Sequence, residues 1–142
     1  MMGKFAADIN AFNKASLDKC DLVTRMIALE VFRRVILKTP VDTGRARGNW
    51  MCTIAVPAEA IAQGEDWFKG QTIGDFDKSG RETIQAAADE VMAWNPREVA
   101  VFLTNNLPYI ERLENGWSKQ APAGMVAITI AEFDGIASGV LK

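Results

Sequence analysis

The segment Thr39–Trp50, which reads TPVDTGRARGNW, decides the fold because it separates a helical pattern from a strand pattern. Before it, apolar residues recur at three- and four-residue steps, which predicts a helix of roughly 20 residues with a wide apolar face. That face comprises Leu22, Met26, Leu29, Phe32 and Ile36. Pro40 should end this helix, since the residue before a proline is pushed out of the α region.

The residues after this segment alternate between apolar and polar. Trp50–Val56 is predicted to be a strand with Trp50, Cys52, Ile54 and Val56 on one face, and Pro57 ends it. Residues 40–48 are predicted to form a turn-rich loop between the helix and the strand.

The N-terminal residues show a second helical pattern. Residues 4–14 predict a short amphipathic helix because Phe5, Ile9 and Phe12 recur at i, i+4 and i+7. Ser16 and Asp18 are candidate N-caps for the longer helix that follows.

Further elements are predicted downstream. Residues 58–77 contain three glycines and no clean period, which indicates a long loop or arm, with an irregular strand near residues 71–73. A helix is expected at about 80–94, capped by Ser79 and with an inner face of Ile84, Ala87, Ala88, Val91 and Trp94. Glu98–Thr104 is an apolar run that predicts a buried strand.

The last third of the chain is predicted to be helical. Tyr109–Asn115 should form a short helix closed by Gly116 as its C′ residue. A terminal helix should run from Met125 to Ile136, although Val126–Ile130 has equal strand propensity.

These elements predict an α+β fold in a single domain spanning residues 1–142, with a long N-terminal helix and further helices packed on a small, mostly antiparallel sheet. Two strands are too few for an independent sheet. Either the 58–77 segment supplies further strands or neighbouring subunits complete the sheet.

The composition excludes several classes of function. The chain contains no histidine, so it has no Ser-His-Asp or Cys-His triad and no histidine metal ligand. It is 49% apolar and 24% charged, without a run of 18 apolar residues or a signal-peptide pattern. We therefore expect a protein kept in a cytoplasm, with Cys20 and Cys52 as free thiols packed like small hydrophobes.

The charges are unevenly distributed. Residues 1–50 carry nine Lys and Arg against five Asp and Glu, a net charge of +4, and residues 51–142 carry seven against thirteen, a net charge of −6. This asymmetry fits either two solvated faces or complementary patches for head-to-tail packing of identical subunits.

Arg45 and Arg47 lie in a glycine-containing loop, Thr43–Gly48, that lacks the spacing of a Walker or dinucleotide-binding loop. The loop could be solvated, could pair with carboxylates at an interface, or could contact nucleic acid. A second candidate is the carboxylate pair Glu111 and Glu114, at i, i+3 on one helix face. A solvated face or a salt bridge is the simpler interpretation of that pair than acid–base catalysis.

The tryptophans are large side chains that can anchor either a core or an interface. Trp50 and Trp94 fit inner faces and are predicted to be core residues. Trp117 follows Gly116 in a polar stretch, so it anchors either its own fold or a partner interface.

Two segments together resemble a known family. The first is Thr39–Arg45 followed by Gly48–Trp50, and the second is Asn106–Met125, which contains PYIERLENGW and then PAGM. In this order, after a long helix, they resemble the tail-completion or head–tail joining (neck) family of tailed phages, similar in kind to lambda minor tail protein Z. The resemblance covers roughly residues 15–135, and the 58–77 segment matches no pattern of that family.

The resemblance implies a virion protein without enzyme activity or cofactor, assembled in the host cytoplasm. It implies a homo-oligomeric, hexameric ring in the neck, in contact with neighbouring connector, tail-terminator or tail-tube proteins. DNA would pass through the lumen without specific binding. A tail terminator or head-completion protein of the same connector, and a nucleic-acid-binding module, are the alternatives.

The resemblance also assigns structural roles to the motif residues. Pro40 would end the long helix, Asp42 and Thr43 would cap the turn, and Gly44 would supply an unusual φ. Arg45 would hold protein rather than a ligand by reaching carboxylates or carbonyls within or between subunits, and Arg47 belongs to the same structural motif or subunit interface. Tyr109, Glu114 and Gly116 would shape the second helix end beside that turn. Trp50 and Trp117 are the remaining residues of the structural motif or subunit interface.

Overall fold

A single helix of 37 residues, α1 (Met2–Lys38), begins the computed structural model, which describes residues 2–59 and 76–142. The prediction of two successive helices is wrong. Neither proline nor glycine occurs between Lys4 and Lys38, so nothing interrupts the helix. Ser16 and Asp18, predicted as N-caps, lie inside it.

The remaining helices and strands, in chain order, are α2 (Arg45–Gly48), β1 (Met51–Ile54), α3 (Arg81–Ala93), β2 (Val101–Thr104), α4 (Ile110–Glu114), α5 (Val126–Ala131) and α6 (Phe133–Leu141). The predicted α+β class is confirmed. Residues 45–48 form a helical turn rather than the predicted loop, and most of the 58–77 segment, with the strand suggested near 71–73, lies outside the described residues.

Burial changes sharply along α1. Residues 3–20, called the arm below, are exposed at every position, and Asp21 is the first buried residue. A guanidinium nitrogen of Arg97 lies 3.0 Å from Asp21 Oδ2, and Arg25 Nε donates to the carbonyl of Trp94 at 2.9 Å. Beyond this point α1 packs against α3, α5 and α6.

The described residues form one sheet, in which β1 and β2 pair antiparallel with Met51 opposite Thr104 and Ile54 opposite Val101. Both strands are shorter than predicted. Ala55, at a φ of 73°, ends β1 before Val56. The strand residues are half-buried, so the prediction of a fully buried second strand is wrong.

The core lies between α1, the turn that follows it and α3. Its buried apolar residues are Val35, Ile36, Ala46, Trp50, Ala87, Leu107, Leu113, Ala121 and Met125. Thr39 is fully buried among them, and its Oγ1 donates to the carbonyl of Val35 at 2.8 Å and accepts from Trp50 Nε1 at 2.7 Å. The predicted core placement of Trp50 and Trp94 is confirmed.

The start of α3 differs from its predicted capping. Ser79 Oγ accepts a bond from the Arg81 amide, but the Asp77 carboxylate accepts from both the amide and the hydroxyl of Thr83, at 2.8 and 2.9 Å. Burial alone would raise the pKa of Asp77. The hydrogen bonds from Thr83, Ser79 and Gly80 outweigh it, and the pKa lies below its usual value.

The terminal region is helical, but Glu132 divides the single predicted helix into α5 and α6. The Glu132 carboxylate lies 2.6 Å from Lys38 Nζ and 3.0 Å from a guanidinium nitrogen of Arg34. Hydrogen bonds from Lys38 and then Arg34 lower the pKa of Glu132. This cluster ties the terminal helices to α1.

The two cysteines are both free thiols, and Cys20 is exposed on the arm, so only Cys52 is packed as predicted. Burial raises the pKa of Cys52 to about 11. In the described part of the chain, no helix combines the length and apolarity that crossing a membrane requires.

We predict that Thr39→Val lowers the free energy of unfolding by about 1–3 kcal/mol, because the buried Trp50 indole N–H loses its acceptor. Thr39→Ser keeps the hydroxyl and should stay within about 1 kcal/mol of the parent. Urea denaturation of the three proteins measures the difference, and equal losses for both variants would contradict the assigned hydrogen bond.

Candidate functional site

The carboxyl end of α1 is held by Arg47. Its Nη2 donates to the carbonyls of Leu37 and Thr39 at 2.8 and 2.9 Å, and its Nη1 donates to the backbone carbonyl of Lys78 at 2.9 Å. The last carbonyls of a helix have no partner within the helix, and a cation there also complements the negative helix end. Burial lowers the pKa of Arg47. Arg47 thus stabilises its own chain.

The turn between α1 and α2 largely follows the predicted roles. Pro40 comes directly after the helix end and is buried. Gly44 has a φ of 94°, and a Cβ there would lie 2.8 Å from the amide nitrogen of Lys78, so only glycine fits. Thr43 Oγ1 accepts from the Arg45 amide at 3.2 Å. Asp42 is exposed at this turn and, in the parts of the chain that are described, caps no amide.

The second motif begins with the end of α4. The amide of Gly116 donates to the carbonyl of Leu113, and that of Trp117 donates to the carbonyl of Arg112. These two bonds form a Schellman motif with Gly116 at C′ and a φ of 84°. A Cβ on Gly116 would overlap the carbonyl oxygen of Pro122. The prediction for Gly116 is confirmed.

Glu114 caps a different helix from its own. Its carboxylate accepts hydrogen bonds from the amides of Met125, Val126 and Ala127, each at 2.9 Å, at the start of α5. Burial alone would raise the pKa of Glu114, but the three amide bonds outweigh it and lower the pKa below its usual range. Gly124, at a φ of 83°, permits this approach because a Cβ would overlap the Glu114 carbonyl.

The two motif segments contact each other directly. The side-chain amide of Gln120 accepts from the Val41 amide at 2.9 Å and donates to the Val41 carbonyl at 3.0 Å. The Arg45 guanidinium lies 5.9 Å from the centre of the Tyr109 ring, within the range of a cation–π contact. Burial raises the pKa of Tyr109 against the opposing effect of Arg45.

Between the segments lies a surface pocket of about 520 Å³, called the corner pocket below. Its lining residues are Pro40, Val41, Asp42, Thr43, Gly44, Arg45, Ala46, Tyr109, Arg112, Leu113, Trp117, Ser118 and Gln120. The side chain of Trp117 is 74% exposed at this pocket, so it does not anchor its own core. The partner-interface role of Trp117 stays a prediction.

The chemistry available at this corner is that of a binding surface. Glu111 is exposed, whereas both oxygens of Glu114 accept backbone amides, so the two carboxylates do not face a common cleft. Among residues 2–59 and 76–142, no group of three or more cysteine, aspartate or glutamate side chains could hold a metal ion. Apolar rings, two arginines and one carboxylate, Asp42, line the pocket.

The sequence patterns missed two features of this site. Gln120 is one such feature, since a single glutamine in a loop has no periodic signal that would pair it with Val41. Arg112 lies on an exposed helix face and reads as a solvated charge. Neither residue could be assigned to the pocket without the fold.

Comparison of the chain with protein-family profiles, with curated proteins and with solved structures found no match in any of the three.

We predict that Gly124→Ala lowers the free energy of unfolding by roughly 2–4 kcal/mol, because alanine resists a positive φ and its Cβ would displace Glu114. The matched control is Gly135→Ala in α6, where a Cβ has open space. That change should stabilise the protein by about 0.5–1 kcal/mol, since glycine weakens a helix interior. Thermal or urea denaturation measures both, and a neutral Gly124→Ala would show that the close approach is not needed.

We predict that Glu114→Gln destabilises the protein by about 1–2 kcal/mol at neutral pH, through loss of a charged helix cap. The pKa of Glu114 is lowered by folding, so its contribution is fully present above the unfolded-state pKa and disappears as pH falls through the folded-state pKa. The difference between parent and variant should therefore close under acidic conditions. Urea denaturation from pH 7 to pH 3 tests this, and a pH-independent gap would contradict it.

Proposed function

We propose that this protein is a structural virion protein of a tailed phage, a tail-completion or neck subunit that forms an oligomeric ring at the head–tail junction. In this role it has no enzyme activity and needs no cofactor. It would be assembled in the host cytoplasm and would contact itself and the adjacent connector and tail proteins.

The pairing of the two family-like segments carries the proposal. Residues 41 and 120 are 79 positions apart, yet the Gln120 amide bonds both backbone groups of Val41. The most specific motif residues serve the fold, as Arg47, Glu114 and Gly116 illustrate. A ring subunit needs a motif that stabilises a corner of the fold, and it does not need a catalytic cleft.

The surface gives a second line of support. Large apolar side chains are exposed on the arm, at the corner pocket and on the terminal helices, among them Phe5, Phe12, Trp117, Ile130, Phe133 and Leu141. Extended exposed apolar surface marks interaction sites in folded proteins. A subunit of an assembly would bury such surface against its neighbours.

The nucleic-acid alternative has less support. Arg47, one of the two arginines that motivated a nucleic-acid-binding module, binds carbonyls of its own chain. A tail terminator or head-completion protein of the same connector shares every feature above, and so it remains the nearest alternative.

The proposal predicts the phenotype of a phage that lacks this gene product. Electron microscopy should show DNA-filled heads and finished tails that remain unjoined, and the wild-type gene supplied in trans should restore joined particles. Tails of irregular length would favour a tail terminator, and heads that lose DNA would favour a head-completion protein. Normal joined particles would overturn the proposal.

A binding measurement separates the nucleic-acid alternative. A genuine DNA-binding module would bind duplex DNA tightly at low salt and lose that affinity steeply as the salt concentration rises. The neck proposal expects only weak, sequence-independent binding.

A further inference from the structure

The arm presents an apolar stripe that nothing in the described chain covers. Phe5, Ile9 and Phe12 are 69%, 43% and 72% exposed and follow each other at i, i+4 and i+7, which places them on one face of α1. The arm of residues 3–20 is about 27 Å long at 1.5 Å per residue. Such an exposed apolar stripe is suited to insertion into a groove on another protein.

The corner pocket is a matching concave surface at the other end of the molecule. Leu113, Tyr109 and the exposed Trp117 ring supply its apolar lining. Its volume of about 520 Å³ is in the range of sites that enclose several side chains or a small ligand. Exposed tryptophan and arginine are the residue types that most often anchor interfaces.

The arm cannot fill the pocket of its own chain. Phe12 and Lys38 are 26 residues apart along a continuous helix, which is about 39 Å, and the pocket begins at Pro40. The arm can therefore enter only the pocket of another molecule.

Charge favours a second copy of this chain as that occupant. Asp8 borders the apolar stripe, three residues after Phe5 and four before Phe12, and the pocket carries the arginines Arg45 and Arg112. The carboxylate of the pocket, Asp42, has a counterpart in Lys4, one turn from Asp8. The remaining charges of the arm, Lys14, Asp18 and Lys19, lie beyond the stripe toward the fold.

We propose that the Phe5–Phe12 stripe of one copy docks in the corner pocket of the next copy. This rests on the proposed ring function and names the two surfaces that would build it. Because the two surfaces differ, and the pocket begins beyond the end of α1 opposite to the stripe, the contact is heterologous, and repetition produces a closed ring or an open filament.

Truncation of one anchor tests the contact. Phe12→Ala should weaken self-association at least about 30-fold, the loss typical of a central aromatic anchor. Met92→Ala on α3 is the matched control, because Met92 is 60% exposed on a helix and lies in neither surface. Light scattering over a wide concentration range measures assembly, with circular dichroism to verify the helix. A parent protein that stays monomeric at the highest concentration, or equal association of both variants, would overturn the docking.

Cross-linking identifies which surfaces meet. In a background carrying Cys20→Ser and Cys52→Ala, one protein carries Ser16→Cys, one turn from Phe12 on the arm, and a second carries Ser118→Cys in the pocket lining, so that both apolar anchors stay in place. Disulfide-linked dimers that form only when the two are mixed support the proposal. Efficient dimers of the Ser16→Cys protein alone would show that arms pair with each other, and no dimers at all would show that the two surfaces do not meet. Either result overturns the docking.

A charge exchange gives an independent readout. Asp8→Arg and Arg112→Asp should each weaken association, and an equimolar mixture of the two should recover it. Deleting the gene from the phage tests the neck role separately from the docking. If the purified protein docks arm to pocket but the deletion phage still joins heads and tails, only the neck role is refuted. Assembly that survives Phe12→Ala, with unjoined particles on deletion, would refute only the docking.

Discussion

The carboxyl end of α1 is the point on which the rest of the fold depends. A helix that stops inside a protein leaves carbonyls that must find donors. Here one planar guanidinium, that of Arg47, reaches Leu37, Thr39 and Lys78 together. Lysine would bring the same charge without the fork of donors, so the arrangement is specific to arginine. The same contacts hold the start of the segment that leads into α3.

A second helix end is held by the opposite charge. Glu114 supplies an anion to three amides at the start of α5, where the positive end of the helix favours one. Arg47 and Glu114 are therefore two charged residues that each cap a helix other than their own. Gln120 and Val41 then join the two capped ends into one corner. A substitution that removes the charge of Arg47 or of Glu114 would loosen both segments.

Much of this fold could be predicted from local patterns. The α+β class, the end of the long helix at Pro40, the positive φ of Gly44 and the C′ position of Gly116 all follow from short-range chemistry. The missed features are long-range. The reach of Glu114 to α5 and the pairing of Gln120 with Val41 depend on how the elements pack. The division into two N-terminal helices failed because capping residues such as Ser16 and Asp18 are also tolerated inside a helix.

The exposed arm makes α1 one element in geometry and two in stability. Its second half packs against α3, α5 and α6 and places Val35 and Ile36 in the core, so opening those turns disrupts the core. Its first half is exposed at every residue, with an ion pair between Asp18 and Arg97 only near its end, and a helical stretch of that length is marginal in water by itself. The helix should therefore fray from Met2 toward Asp21 without cost to the core. A segment that becomes fully ordered only when another surface covers it loses conformational entropy on binding. This loss keeps each single contact weak, whereas many such contacts in a closed assembly are strong together.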